Sequence, residues 1–141
     1  VKENPMRNTL TYMAALAVAL ALGGAAAAAG PDWNRWTDLE TVEVISTDEE
    51  GGSRLTTIWI VVLDGQAYIR TAGTTWGDNV EREGTLKIRG APGEYVLRAE
   101  KVTDPALQET IVALFREKYG TTDAVMEFLR FGERRIFRLS G

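Results

Sequence analysis

The chain has 141 residues, 45% hydrophobic and 26% charged, with 20 acidic against 16 basic side chains, a net charge of −4, and neither histidine nor cysteine. Those two absences exclude disulfides, thiolate metal sites, iron–sulfur clusters, cysteine nucleophiles and any serine–histidine–aspartate triad, and they remove the commonest metal ligand and general base. The acidic balance argues against nucleic acid as a partner, because phosphate backbones select a basic face.

At the N-terminus, Lys2 and Arg7 precede an uncharged stretch from Asn8 to Gly30 whose centre, Met13 to Leu22, is almost wholly Ala, Leu and Val. A positive start, an apolar middle and an Ala-x-Ala pattern at Ala27 to Ala29 predict a signal peptide over residues 1–29, cleaved on export to the periplasm or the medium. The competing reading is an uncleaved N-terminal membrane anchor, since Leu10 to Ala29 approaches the roughly 20 residues that a spanning helix needs. Cleavage would leave no membrane contact and a still more acidic protein.

Residues 30–40 read as a lead segment in which Trp33 and Trp36, three apart, face the same way on a short helix and cover an edge of the core. One domain is expected over residues 41–141. Thr41 to Thr47 alternates as a strand, and Asp48 to Gly52 reads as a turn, without the oxygen-ligand spacing of a calcium loop. Arg54 to Leu63 is apolar on both faces past its start, which predicts one strand in the middle of a barrel or sandwich, with Trp59 as core packing. Asp64-Gly65 marks a hairpin into Gln66 to Thr71. Ala72 to Gly77 reads as a loop, with a short polar helix from Asn79 to Glu83 after it. Strands follow at Thr85 to Arg89 and Glu94 to Val102.

Asp104-Pro105 opens the long helix, since Asp caps and Pro suits the first position; Leu107, Ile111, Leu114 and Phe115 recur at helical spacing before Gly120 stops it. Thr122 to Phe131 suggests a further short helix, and Arg134 to Leu139 a closing strand. Arg134, Arg135 and Arg138 are expected to pair with the abundant carboxylates. No metal site is expected.

Pattern alone is compatible with several small barrels. The run Thr56 to Val62, then Asp64 to Thr71, Gly73 and Trp76, Thr85 to Gly90, Val102 to Pro105 and Lys118-Tyr119-Gly120 resembles the flavin-binding split-barrel proteins. It is similar to the branch near the pyridoxamine-phosphate-oxidase-like proteins and deazaflavin-dependent nitroreductases that includes a bacterial family of unknown function. The resemblance implies a mainly β fold with helices (α+β), an antiparallel split β-barrel with one long and one short helix. It also implies a homodimer with flavin mononucleotide (FMN) or deazaflavin at the interface.

Carried over by position, the cofactor-binding residues implied are Arg54, Thr56 and Thr57 on one strand, Arg70 and Thr71 on the next, and Gly73, Trp76 and Asn79 beyond it. The chemistry agrees with that assignment. Arginine offers phosphate a planar fork, threonine adds hydroxyl donors, glycine admits close backbone approach, and an indole stacks on a ring. The function expected is an exported flavin- or deazaflavin-binding oxidoreductase-like protein of unknown substrate, with no catalytic residue assigned. The alternative is a non-catalytic exported binding or interaction domain that keeps the barrel without cofactor, since only Gly51-Gly52-Ser53-Arg54 stands where relatives carry a basic phosphate loop. Convergence of Arg54, Thr57 and Trp76 on one cleft would favour the first reading.

Overall fold

The computed structural model describes residues 30–120 and 135–141. The signal peptide expected over residues 1–29 and the helix expected at Thr122 to Phe131 lie outside the described residues. Among those described, seven strands form: β1 (Val42–Thr47), β2 (Ser53–Ile58), β3 (Ile60–Leu63), β4 (Gln66–Thr71), β5 (Thr85–Gly90), β6 (Gly93–Lys101) and β7 (Arg135–Ser140). Helices α1 (Thr75–Glu83) and α2 (Pro105–Tyr119) and a 3-10 turn at Trp33–Trp36 complete the set. All ladders are antiparallel, in the order β2-β1-β5-β6-β7-β4-β3.

The segment Arg54 to Leu63, expected to be one central strand, is two strands broken at Trp59, and these lie at opposite edges of the sheet. Edges joined by a single residue cannot be far apart, so the sheet curls until β2 and β3 approach each other. A barrel with a split results. The apolar character of both faces of β3 has a different cause from the one expected: Ile60 points into the barrel, while Val61 on the outer face packs under α2 with Tyr68, Ile136, Ile111 and Phe115.

Two apolar clusters follow from this arrangement. The barrel interior holds Val42, Val44, Ile58, Ile60, Ile69, Ile88, Leu97, Phe137 and Leu139. Its two ends are stoppered by different elements. At one, Trp33 and Trp36 are buried as the sequence spacing implied, with their rings 5.4 Å apart and Trp36 edge-on to Tyr95. At the other, α1 inserts Trp76 and Val80.

Local chemistry sets the boundaries. Asp64 and Gly65, at φ 51° and 72°, make the two-residue turn between β3 and β4. Asp104 accepts from the Ala106 N–H at 3.2 Å, with Pro105 opening α2. Helix α1 starts earlier than expected because the Thr74 hydroxyl accepts from the Gly77 N–H at 3.2 Å. Trp76 is therefore a buried helical residue, whereas the sequence placed it in a loop.

Candidate functional site

A cavity of about 370 Å³ opens at the split, lined by Thr41, Thr56, Thr57, Ile58, Trp59, Arg70, Thr71, Thr74 and Trp76. The topology explains the gathering. Ile60 pairs with Ile69, so one residue further along, where β2 turns away from β4, Trp59 comes level with Arg70, and both line the cavity. Five threonines, one arginine and two indoles meet there around Ile58. Such a set can hydrogen-bond an anionic or hydroxyl-bearing group and offer apolar rings to a flat one.

Of the eight residues assigned from sequence, Thr56, Thr57, Arg70, Thr71 and Trp76 line this cavity. Arg54 does not: it is exposed near the Gly51-Gly52 turn, opposite Ser46 in the β1–β2 register. Gly73 is an exposed loop residue where an added Cβ would meet nothing within 4 Å, so no close approach depends on it. Asn79 is buried, donating to the Ser46 hydroxyl at 3.3 Å and accepting from Arg82 at 3.2 Å, which ties α1 to β1. Thus Thr57 and Trp76 converge and Arg54 stands apart.

Sequence reasoning missed Thr41, Ile58 and Thr74 as lining residues and took Trp59 for core alone. It also missed the part Arg135 plays. This guanidinium, only 4% exposed, donates to the Ala72 carbonyl from Nε (3.2 Å) and Nη2 (2.7 Å) and to the Thr74 carbonyl (3.3 Å). It also contacts Asp78 at 2.8 Å and Glu81 at 3.0 Å. The loop carrying Thr74 is thereby tied to the first turns of α1. Hydrogen bonds from Lys101 and Arg135 hold the Glu81 carboxyl below its ordinary value of 4.5, so it stays charged further into acid. Space is tight here too: a Cβ on Gly77 would stand 2.6 Å from Thr71 Cγ2 and 2.7 Å from Arg135 Nη2.

Behind Trp59 lies a second set of contacts, at the C-terminal end of α2. The Tyr119 ring stacks on Trp59 at 4.5 Å and 12°, and its hydroxyl accepts from the Ile60 N–H at 3.0 Å and reaches the Glu40 carbonyl at 2.7 Å. Lys118 Nζ donates to the carbonyls of Leu39 and Ile60, each at 2.7 Å. Burial is the main influence on both groups, lowering the Lys118 pKa and raising that of Tyr119. Edge strand β3 thus has side chains in place of a second ladder partner at Ile60.

The sequence matches, over residues 33–135, the model of a family described as "Uncharacterized protein conserved in bacteria (DUF2255)". The chain belongs to the DUF2255 family. No functionally curated protein matches it. Several solved structures share the fold of this DUF2255 chain. The heme storage protein HutZ from Vibrio cholerae is 14% identical, with a TM-score of 0.61 over 73% of this chain and 82% of its own. An F420-H2 dependent reductase, FDR-A, is 16% identical, with a TM-score of 0.56 over 72% of this chain and 95% of its own. A third chain, described as a domain-swapped dimer, is 18% identical, with a TM-score of 0.54 over 71% of this chain and 81% of its own. At these identities the likeness establishes the split-barrel fold of the DUF2255 chain and nothing of its chemistry.

Proposed function

We propose that this protein binds a flavin or deazaflavin at the split and serves as an oxidoreductase-like homodimer. The observation that carries the reading is the convergence of Arg70, the threonines of β2 and β4, and two indoles on one cavity. A volume of about 370 Å³ falls within the range of small-molecule sites. Arg70 and the threonine hydroxyls would hold an anionic group, Trp59 and Trp76 would face a planar ring, and Ile58 would help exclude water. Once bound, such a cofactor supplies the hydride chemistry, and the protein orients it. Heme fits this cavity less well, because no lining residue is a customary iron ligand and the chain has no histidine or cysteine.

Titration of the protein with FMN and with deazaflavin, followed by tryptophan fluorescence and thermal shift, tests this. A ligand that binds only the native state adds about 2.7 kcal/mol at a hundredfold excess over its Kd. Arg70→Met is expected to weaken binding about tenfold or more, the worth of a hydrogen bond to a charged group, with Thr57→Val weaker in the same direction. Arg54→Ala, outside the cavity, is expected to change nothing. The position of Arg54 favours the second reading, an interaction domain without cofactor; absence of any shift with either compound in the wild-type protein would establish it over the first.

The homodimer reading draws support from the outer face of β2-β1-β5-β6. Register places Leu55, Ile45, Lys87 and Val96 in one row across four strands, with Leu55 55% and Val96 72% exposed. Glu43–Arg89 and Lys87–Glu94 ion pairs adjoin that row, so both charge signs are available to a self-complementary face. Val96→Asp is expected to halve the mass measured by sedimentation equilibrium; a wild-type protein that sediments as a monomer would overturn the dimer.

A further inference from the structure

Trp59 is the residue between two edge strands that diverge, and the Tyr119 ring stacks on it at 4.5 Å and 12°. Tyr119 is itself restrained from several directions. Phe115 lies 6.0 Å away at 22°, the Lys118 ammonium sits 5.2 Å from the ring centroid, and the hydroxyl is bonded to Ile60 and Glu40. Lys118 adds a bridge between the carbonyls of Leu39 and Ile60. The held backbone groups at Leu39, Glu40 and Ile60 lie within two residues of Thr41 or Trp59, both of which line the cavity.

We infer that Tyr119 is a positioning residue: its ring, flanked by Phe115 and the Lys118 ammonium, fixes the plane of Trp59 and with it the cavity wall that meets a planar ligand. This deepens the cofactor reading of the cavity and rests on it. Tyr119 does not line the cavity and acts through Trp59 alone. A stacked aromatic pair corresponds to about tenfold in the population of the stacked arrangement. A ligand that needs this arrangement loses the same factor when the stack is removed.

The experiment labels the four tryptophans with 5-fluorotryptophan and assigns the Trp59 resonance in the fluorine NMR spectrum from Trp59→Phe. Tyr119→Phe keeps the ring, Tyr119→Leu removes it, and Tyr119→Met replaces the latter should leucine not fold. Ile111→Val, a core change on the same helix away from the cavity, controls for lost stability. The ligand probe is FMN. The Leu variant is expected to move the Trp59 resonance and weaken FMN binding about tenfold, whereas the Phe variant and Ile111→Val leave both unchanged. A Trp59 resonance unmoved in the Leu variant, or an equal loss of affinity in the Phe and Leu variants, would overturn the inference. Should the wild-type protein bind no FMN, the cofactor reading falls while the resonance still decides whether Tyr119 positions Trp59.

Discussion

Arg135→Ala is expected to lower the unfolding free energy by about 2–4 kcal/mol without changing the denaturant slope. The guanidinium is nearly inaccessible and is the donor for the carbonyls of Ala72 and Thr74, which alanine would leave without it. Asp78 and Glu81, 71% and 44% exposed, regain water when the charge goes, so the loss falls short of the roughly 3–5 kcal/mol seen when one partner of a fully buried pair is removed. Arg135→Lys is expected to lose an intermediate amount, because one ammonium cannot reproduce a planar fork that serves the loop carbonyls and the carboxylates of α1 together. Thr74 lines the cavity, so FMN affinity should fall with stability. A urea midpoint equal to wild type would show that the loop and α1 hold their places without this residue.

Trp36→Ala should cost about 3–5 kcal/mol by the same measurement, the usual range for emptying a large aromatic site. The side chain is fully buried, and it packs so closely on β5 that a Cβ on Gly90 would stand 2.6 Å from its Cζ3. Few atoms nearby can move in to fill the space. Trp36→Phe is expected to lose far less, because the indole Nε1 is buried without a hydrogen-bond partner and its removal strands no other group. Equal losses for the two variants would mean that the stopper depends on the indole's full outline.

What could be read in advance was local. The caps of α2, the Asp64-Gly65 turn and the alternation of β1 and β5 each depend on residues a few positions apart, and each occurs where expected. Thr56, Thr57, Arg70, Thr71 and Trp76 were named together by the resemblance to split-barrel proteins, and these five line one cavity. Arg54 had the same chemistry as Arg70 and the same strand context, and nothing local separates them. Thr74 carried a signal that went unread: a threonine three residues before a glycine, able to cap the helix that buries Trp76.

Arg54 to Leu63 shows why the remainder stayed hidden. A run that is apolar on both faces reads the same whether its neighbours are two strands or a strand and a helix, so burial was legible and position was not. By itself the sequence determined the fold class, the extent of most elements, the buried tryptophans of the lead segment and a candidate set rich in threonine and arginine. Only the tertiary structure decided that the chain breaks at Trp59, that β2 and β3 close the curled sheet from opposite edges, and that Arg135 and Tyr119 secure the two sides of the resulting cavity. Those contacts join residues about 60 positions apart, and their existence depends on the curl of the whole sheet, which no short window of sequence contains.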